Sequence, residues 1–218
     1  MTTTATKRPP AVPGFAIGKR VTVLLILVWF LAFWLGGMGL DRTLLHFSYV
    51  GAHPWTSAII MLTHFGDWEV LAALTFFGLA WLTMKRQWRL GLFVVLATQL
   101  GRLMISLQKI GLGRARPAED KHLVDVTTLS FPSGHAGNSM IVYLMLALAL
   151  APPGRQRTIA ASAAILLSLL IGASRSLLGV HWPSDVIGGW SFGILWVTLC
   201  LTAAQRWNWL HVGSVRVQ

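Results

Sequence analysis

The chain has 218 residues, of which 55% are hydrophobic and only 11% are charged. This composition excludes an ordinary water-soluble domain and indicates a protein embedded in a membrane, with membrane lipids as its surroundings. The net charge of +11 is divided between two predicted membrane faces instead of forming one basic stripe. No nucleic acid is therefore predicted as a partner.

Six apolar segments are predicted to span the membrane, because each approaches the length of about 20 mostly apolar residues that a spanning helix needs. In chain order they are residues 21–37, 68–84, 88–108, 132–151, 158–175 and 183–205. The sequence therefore predicts an all-α, polytopic membrane protein, a bundle of six transmembrane helices that occupies residues 21–205. The one cysteine, Cys200, has no partner for an intrachain disulfide.

Short polar segments flank this predicted bundle. Residues 1–20 are basic and proline-rich and are predicted to form a disordered cytoplasmic tail, and residues 206–218 are predicted to form a second one. A cleaved signal peptide over residues 1–37 is the alternative. It is disfavoured because the apolar core exceeds the roughly 7–15 residues of a signal peptide and because its Gly-Gly-Met-Gly end does not resemble a cleavage site.

The distribution of Lys and Arg predicts the orientation of the bundle. When the predicted spans are threaded alternately, the N-terminal tail, the 85–89 turn, the 152–157 turn and the C-terminus share one basic side. By the positive-inside rule this side is cytoplasmic, which in a bacterium means the inner membrane with the opposite side facing the periplasm. Several basic residues on the opposite side run against the rule and need another explanation: Lys109, Arg114, Arg116, Lys121 and Arg175.

The segment between the first two predicted spans, residues 38–67, contains an apolar patch from Trp55 to Phe65. This patch is predicted to be either a short interfacial helix or a set of plain interface anchors. Asp67 and Glu69 come at the start of the second span on the same side. They are predicted to cap that helix, and pairing with a Lys or Arg of a site is the alternative.

Two polar residues, Gln99 and Arg102, fall inside the third predicted span. An ionisable residue inside a membrane span suggests a functional role, and structural pairing with a carboxylate is the alternative. Beyond the end of this span, Arg114 and Lys121 are predicted to be helix-end anchors, with contact to a substrate loop as the alternative.

Three polar stretches are predicted to face one another on the side opposite the cytoplasm. Lys109 and Arg116 follow the third span, and Arg175 ends the fifth. They supply permanent positive charge, and the planar fork of Arg matches the oxygens of a phosphate. Ser133 and the backbone N–H groups around Gly134 add uncharged donors at the start of the fourth span, where the helix dipole favours an anion. Together they predict a phosphate site.

Two histidines adjoin this predicted phosphate site. His181 precedes a helix that Pro183 can start, because proline is tolerated in the first turn. Asp185 falls in that turn and is predicted to hold one ring nitrogen of His181, which leaves the other nitrogen free as a nucleophile or base. Ser133 and the backbone around Gly134 form the predicted anion cradle. His135 comes directly after it and is the better general acid for a leaving oxygen.

These residues resemble the three-part signature of the type 2 phosphatidic acid phosphatase superfamily. The signature reads Lys, six residues, Arg-Pro; then Pro-Ser-Gly-His; then Ser-Arg, five residues, His, three residues, Asp; and every position is present between residues 109 and 185. The predicted layout of spans is similar to that of the bacterial membrane members, such as undecaprenyl-diphosphate and phosphatidylglycerophosphate phosphatases. The resemblance implies a metal-independent membrane hydrolase of lipid phosphates or diphosphates that works through a phosphohistidine, with its active site at the extracytoplasmic interface.

Carried onto this chain, the resemblance implies that His181 attacks phosphorus, that Asp185 orients it, and that His135 protonates the departing oxygen and later activates water. It implies that the phosphoryl oxygens are held by Lys109, Arg116, Ser133, Gly134 and Arg175. The implied substrates are undecaprenyl diphosphate, phosphatidate, phosphatidylglycerophosphate and the phosphates of lipid A. No metal or other cofactor is predicted, because the remaining histidines lack metal-ligand spacing.

Two alternative functions stay open. A lipid phosphotransferase would share the first half-reaction, so the signature does not exclude it. A lipid transporter is less consistent with the sequence, because it predicts charged residues or broken helices near mid-span, whereas the polar clusters here lie at span ends on one face. The sequence predicts no oligomeric state.

Overall fold

The computed structural model describes residues 17–51, 53–118 and 122–206. Most of the two predicted tails, 1–20 and 206–218, and Lys121 therefore lie outside the described residues, and the predictions made for them stay predictions. Within the described ranges the chain forms eight α-helices and no strand, which confirms the all-α prediction. The helices are α1 (Lys19–Leu35), α2 (Gly39–Ser48), α3 (Thr56–His64), α4 (Trp68–Met84), α5 (Trp88–Leu112), α6 (Gly134–Leu150), α7 (Arg155–Leu177) and α8 (Pro183–Arg206).

Length and composition identify the helices that could cross a membrane. The helices α5, α7 and α8, with 25, 23 and 24 residues, each meet these criteria on their own. Two bent pairs also meet them when each pair counts as one span: α1 with α2, bent by 91°, and α3 with α4, bent by 43°. Helix α6 is apolar but has only 17 residues. A multi-pass membrane protein is confirmed, with three to five spans by these criteria, and the predicted count of six stays a prediction.

The segment between the first two predicted spans forms two helices. Helix α3 lies within the apolar patch, so the patch is helical, and its position at the membrane interface stays a prediction. The sequence pattern does not predict α2, which buries Asp41 and Leu45 and exposes Leu40 and Phe47. A ten-residue helix with this mixture of side chains contains no continuous apolar run, so a search for such runs does not detect it.

Glycines allow α6 and α8 to cross closely at the centre of the bundle. A Cβ on Gly189 would lie 2.7 Å from the carbonyl oxygen of Ser133, and one on Gly193 would lie 2.7 Å from Cβ of Met140. Larger residues at these positions would push the two helices apart. The crossing places the N-termini of α6 and α8 together, where the backbone N–H of Ser133 donates to the carbonyl oxygen of Asp185 at 2.9 Å.

The three polar stretches that the sequence singles out lie at one end of the bundle, the polar end. This end is formed by the N-termini of α4, α6 and α8 and by the C-termini of α5 and α7, whereas the short connections 85–87 and 151–154 close the opposite end. The segment between α5 and α6 returns across the polar end. Backbone hydrogen bonds from Ser130 to Arg114, at 2.9 Å, and from Leu123 to Leu178, at 3.1 Å, hold it in place.

Candidate active site

His181 and Asp185 form a buried pair at the start of α8. Nδ1 of His181 lies 3.3 Å from Oδ2 of Asp185, and both side chains are almost completely buried. The same carboxylate oxygen accepts hydrogen bonds from the backbone N–H of Trp182, at 2.9 Å, and from the hydroxyl of Ser130. Asp185 thus lies in the first turn of α8 and reaches back to His181, which is the geometry that the sequence predicts.

The other ring nitrogen of His181 indicates the tautomer. Nε2 lies 3.1 Å from Nη1 of Arg116. A guanidinium is only a donor, so Nε2 must accept this hydrogen bond with its lone pair. This network assigns the proton to Nδ1, facing Asp185. The pair therefore presents an unprotonated nitrogen toward a cation of the site.

Burial and positive charge keep the His181 imidazole neutral. Burial is the main cause that lowers the pKa of His181 well below its ordinary value of 6.5, and the charges of Arg116, Lys109 and Arg175 lower it further. Burial also lowers the pKa of Arg116 to about 10, with Asp185 acting in the opposite direction. Arg116 still carries its charge at neutral pH, so a neutral imidazole faces a lasting positive charge.

Neutral oxygens hold two of the predicted cations, Lys109 and Arg116. Arg116 donates to the carbonyl oxygens of Thr128, at 2.6 Å, and Val180, at 2.5 Å. Nζ of Lys109 donates to the carbonyl oxygen of Leu129 at 2.5 Å. Carbonyl acceptors carry no net negative charge, so they fix these side chains without forming an ion pair with them.

Arg175, near the end of α7, is only 4% exposed. Its Nη1 donates to the hydroxyl of Thr63 in α3 at 2.9 Å. Its Nε is buried and has no hydrogen-bond partner within the part of the chain that the structure describes. A buried donor without a partner is costly, so an incoming anion oxygen would be stabilised at this position.

Ser133 and Gly134 form the start of α6. Ser133 is the N-cap residue, and its hydroxyl is buried with no hydrogen-bond partner among residues 17–51, 53–118 and 122–206. A Cβ on Gly134 would lie 3.8 Å from Cε of Lys109, so the backbone at this glycine lies next to the Lys109 side chain. Unused donors at a helix N-terminus beside a cation form a suitable site for an anion.

His135 is bonded to Asp67, a residue that the sequence predicts to be a helix cap. Nε2 of His135 lies 2.9 Å from Oδ1 of Asp67. The cap prediction for Asp67 is wrong, because its side chain makes no capping hydrogen bond to α4 and its other oxygen lies 2.7 Å from Nδ1 of His64. The physical reason is that two imidazoles lie within reach of the carboxylate at the junction of α3 and α4. The sequence signal that could have indicated this contact is the position of Asp67, an acidic residue at the end of a span on the same side as the site histidines.

The sequence predicts Arg114 to be an interface anchor, and this prediction is wrong. The Arg114 side chain is only 10% exposed, and its Nη1 donates to Oδ1 of Asp185 at 2.7 Å and to the hydroxyl of Ser184 at 3.1 Å. Its Nη2 donates to the carbonyl oxygens of Ala32, at 3.1 Å, and Phe33. The buried carboxylate and the free carbonyls at the end of α1 draw the guanidinium inward. Its place inside the first signature stretch is the only sequence signal for this role.

Two further polar residues have partners that the sequence does not predict. Asp41 of α2 accepts hydrogen bonds from the backbone N–H of Ser184, at 3.0 Å, and from its hydroxyl, at 2.7 Å. Asp41 therefore ties α2 to the start of α8. The guanidinium of Arg102 lies 5.0 Å from the centre of the Trp68 ring, so the contact that the structure shows is with an aromatic ring and not with a carboxylate.

The polar end can thus bind a tetrahedral anion and offer it two imidazoles. Among the described residues, no group of three or more His, Cys, Asp or Glu side chains could hold a metal ion, and a reaction without metal stays a prediction. The predicted site residues all lie at this end of the bundle: His181, His135, Asp185, Lys109, Arg116, Ser133, Gly134 and Arg175.

Comparison with known proteins relates this arrangement to a family. Residues 87–209, more than half of the chain, match the sequence profile of the PAP2 superfamily. The phosphatidylglycerophosphatase B of Bacillus subtilis (strain 168) is 32% identical over 148 residues, which cover 65% of this chain and 72% of that protein. An undecaprenyl-diphosphatase of Sulfolobus acidocaldarius is 31% identical over 118 residues, which cover 51% of this chain and 54% of that protein.

A solved structure shows a similar fold. The transmembrane PAP2 type phosphatidylglycerolphosphate phosphatase from Bacillus subtilis superposes with a TM-score of 0.76 and 27% sequence identity. The superposition covers 85% of this chain and 96% of that chain. The similarity therefore extends over nearly the whole of the solved protein.

Proposed function

The chain belongs to the PAP2 superfamily and is a membrane lipid phosphatase, and we propose that it hydrolyses a lipid phosphate or diphosphate without a metal, through a phosphohistidine at His181. The observation that carries this proposal is the tautomer of His181. Its Nδ1 faces Asp185 at 3.3 Å, and its Nε2 accepts a hydrogen bond from Arg116 at 3.1 Å. A neutral imidazole with its lone pair on Nε2 is the form that attacks phosphorus, and Arg116 releases that lone pair when it donates to a phosphoryl oxygen instead.

In the first half-reaction, Nε2 of His181 forms a bond to phosphorus while the bond between phosphorus and the lipid oxygen breaks. His135 gives a proton to that oxygen, so the lipid leaves as an alcohol or as a lipid monophosphate. Asp185 stabilises the positive imidazole ring that results, because its carboxylate lies at Nδ1. Attack in line with the leaving oxygen fits the placement of the two histidines at neighbouring helix ends.

In the second half-reaction, water attacks the phosphohistidine. His135, now neutral, takes a proton from the water, the bond between phosphorus and Nε2 breaks, and inorganic phosphate leaves with His181 neutral again. A lipid phosphotransferase would differ only here, with an alcohol in the place of water.

Cations and unused donors would stabilise the charge on the phosphoryl oxygens in both steps. The buried hydroxyl of Ser133 and Nε of Arg175 are donors without partners in the described chain. Lys109 and Arg116 bring positive charge, and the backbone at Gly134 adds N–H groups from the start of α6. These donors are in place before the substrate arrives, so little reorganisation is needed.

An apolar groove supports an amphiphilic substrate. It has a volume of about 300 Å³ and is lined almost entirely by apolar surface from α2, α7 and α8. Its lining includes Leu44, Ser176 and Pro183, and the last two are close in sequence to Arg175 and Asp185. A lipid tail in this groove would leave its phosphate at the polar end. Undecaprenyl diphosphate, phosphatidate and phosphatidylglycerophosphate are the substrate types that we propose.

We place the protein in a bacterial inner membrane with both termini in the cytoplasm and the polar end at the periplasmic interface. The support is the basic character of the opposite side, which carries Lys85, Arg86 and Arg155, together with the positive-inside rule. A topology reporter fused after Gln218 tests this orientation. A reporter signal from the periplasm would contradict it.

The function is tested by phosphate release from the purified full chain in detergent with excess chelator. The substrates are undecaprenyl diphosphate, phosphatidate and phosphatidylglycerophosphate, and the variant is His181→Ala, with His46→Ala as a matched histidine control. We expect release that survives the chelator, persists in His46→Ala and vanishes in His181→Ala. A requirement for metal, or wild-type turnover in His181→Ala, would refute the proposal. Transfer of the phosphoryl group to an added lipid alcohol instead of water would favour the phosphotransferase.

A further inference from the structure

A second pair of aspartate and histidine lies beside the first. Oδ1 of Asp67 lies 2.9 Å from Nε2 of His135, and Oδ2 of Asp67 lies 2.7 Å from Nδ1 of His64. The arrangement resembles that of Asp185 and His181 in that a carboxylate lies at one ring nitrogen of a site histidine, but the Asp67 carboxylate contacts a second imidazole as well. Asp67 has no position in the family signature that the sequence contains, so the signature assigns it no role.

We propose that Asp67 is a positioning residue for His135: it holds the ring through Nε2 and stabilises the protonated form that delivers a proton to the leaving oxygen. This inference rests on the proposed function, in which His135 is the general acid. With Asp67 bound to Nε2, the nitrogen that remains for the substrate is Nδ1. Asp67 itself does not touch the reacting atoms.

The charges around His135 make such a partner necessary. A general acid must carry its proton before the reaction, but burial disfavours a positive charge on His135, and the charges of Arg175 and Arg116 oppose it further. Asp67 is the carboxylate that acts in the opposite direction, through both its hydrogen bond and its charge. Without Asp67, an imidazolium at this position would face two guanidinium groups with no negative partner beside it.

The backbone that carries Asp67 is fixed against α6. Gly66 lies so close to the His135 ring that a Cβ there would approach Cδ2 to 2.8 Å. The hydroxyl of Tyr143, two turns along α6, donates to the carbonyl oxygen of Phe65 at 2.8 Å. These contacts keep the junction of α3 and α4 on the His135 side of the bundle, so the carboxylate is directed at the imidazole by the fold.

His64 completes the arrangement at the surface. Its side chain is 62% exposed and occupies the second oxygen of Asp67, which restricts rotation of the carboxylate. The contact between Asp67 and His135 does not depend on it. Loss of His64 should therefore cost much less activity than loss of the Asp67 charge.

The test uses the dependence of the reaction on its leaving group. A general acid matters most when the departing oxygen is a poor leaving group, and it matters little when that oxygen leaves as a nitrophenolate. Two amphiphiles of equal chain length are compared, a long-chain alkyl phosphate and a long-chain nitrophenyl phosphate. The quantity measured is kcat/KM, because it reports the steps up to and including cleavage of the bond to the leaving oxygen.

For Asp67→Asn we expect kcat/KM for the alkyl phosphate to fall by about 10-fold or more, and for the nitrophenyl phosphate to fall by less than about 3-fold. His64→Gln should lower the first value by less than about 3-fold. Glu69→Gln is the matched control, since it removes an exposed carboxylate from the first turn of α4 without touching His135. It should leave both values unchanged.

A second readout is the alkaline limit of kcat/KM for the alkyl phosphate. This limit should move to lower pH in Asp67→Asn, because Arg175 and Arg116 then oppose the protonated His135 without the carboxylate. Equal losses on both substrates, with an unmoved alkaline limit, would overturn the proposal and reduce Asp67 to a structural role. An unchanged kcat/KM for the alkyl phosphate would also overturn it.

The variant His135→Ala separates this inference from the proposed function. If His135 is the general acid, His135→Ala must lower kcat/KM strongly for the alkyl phosphate and only slightly for the nitrophenyl phosphate. If His135→Ala shows this pattern and Asp67→Asn does not, the inference about Asp67 fails alone. If His135→Ala does not show it, the role proposed for His135 itself fails.

Discussion

Arg114 donates to Oδ1 of Asp185 at 2.7 Å, on the carboxylate oxygen opposite the one that faces His181. The carboxylate is therefore bonded on both sides and cannot rotate away from the imidazole. The same guanidinium donates to the carbonyl oxygens of Ala32 and Phe33. The orientation of the proposed nucleophile thus depends on the C-terminal end of α1, far away in the sequence.

We predict that Arg114→Gln lowers kcat by about 10- to 100-fold, the range seen when a partner that orients a metal-binding residue is lost, because Arg114 orients Asp185 in a comparable way. KM should change little, because Arg114 bonds to Asp185 and not to the predicted phosphate donors. Arg114→Lys should recover part of the loss, since an ammonium can reach one carboxylate oxygen but cannot bridge to α1 as well. The measurement is kcat and KM on one lipid phosphate, with the thermal midpoint as a check on folding.

Arg102→Gln is the control for this prediction. It removes a guanidinium whose observed contact is the Trp68 ring, and kcat should stay within about twofold of the wild type. A folded Arg114→Gln protein with wild-type kcat would show that Asp185 does not need this partner.

The close crossing of α6 and α8 predicts a contrast between two glycines. Gly189→Ala would place a methyl group 2.7 Å from the carbonyl oxygen of Ser133 and should lower stability by about 1–3 kcal/mol through overpacking. Gly111→Ala meets nothing within 4 Å and should be neutral or stabilising by up to about 1 kcal/mol, because alanine is the better helix former. Thermal midpoints in the same detergent measure both.

The thermal midpoint of Gly111→Ala should therefore equal or exceed that of the wild type, and the midpoint of Gly189→Ala should lie clearly below it. Activity should fall with Gly189→Ala as well, since the displaced backbone includes the start of the anion cradle. Equal midpoints for the two variants would mean that α6 and α8 do not pack as closely as described.

The lowered pKa of His181 predicts how stability depends on pH. The folded chain keeps His181 neutral, whereas in the unfolded chain the same residue takes up a proton below pH 6.5 or so. The unfolded state then binds more protons, so the free energy of unfolding falls as the pH falls, by at most about 1.4 kcal/mol per pH unit from this residue. Stability from this source is greatest above the unfolded pKa.

Thermal midpoints between pH 8 and pH 5.5 or so, in the wild type and in His181→Gln, test this sign. The wild type should lose more stability on acidification than the variant, which has no group to protonate at that position. Parallel curves would mean that His181 is as easily protonated in the folded protein as in the unfolded chain.

The groove between α2, α7 and α8 predicts a change in substrate preference. Leu44→Trp would fill part of the groove from the exposed side of α2, so KM for a long-chain lipid phosphate should rise several-fold. Leu40→Trp is the matched control, because Leu40 is exposed on the same helix and does not line the groove. A short-chain phosphate that does not reach the groove should show no difference. Equal KM values for the long-chain lipid in both variants would argue that the tail lies elsewhere.

Much of the fold and of the predicted site follows from local sequence. Continuous apolar runs place the long helices, and α4 begins at Trp68 and ends at Met84 as the sequence predicts. The spacing of four residues between His181 and Asp185 is enough to predict their contact. Asp185 lies in the first turn of α8 and His181 lies just before that turn, so the two side chains are neighbours. The three signature stretches lie at helix ends, so alternate threading brings them to one end.

The partners of these residues were less predictable, because they depend on contacts between distant segments. Asp67 looks like a helix cap in sequence, and only the packing of Gly66 against His135 directs its carboxylate to the imidazole. Arg114 looks like an anchor, and only the folded bundle brings Asp185 and the end of α1 within its reach. Asp41 lies in an amphipathic helix that carries no continuous apolar signal, so neither α2 nor its bond to Ser184 was predictable.

The most direct test of the proposed mechanism is to trap the phosphoenzyme. The purified chain is mixed with a lipid phosphate in excess chelator, quenched within the first turnover under alkaline conditions that preserve phosphohistidine, and digested for mass spectrometry. The mechanism predicts a phosphoryl group on His181 that forms in the wild type and is absent from His181→Ala. A phosphoryl group on another residue, or turnover by His181→Ala at the wild-type rate, would contradict it.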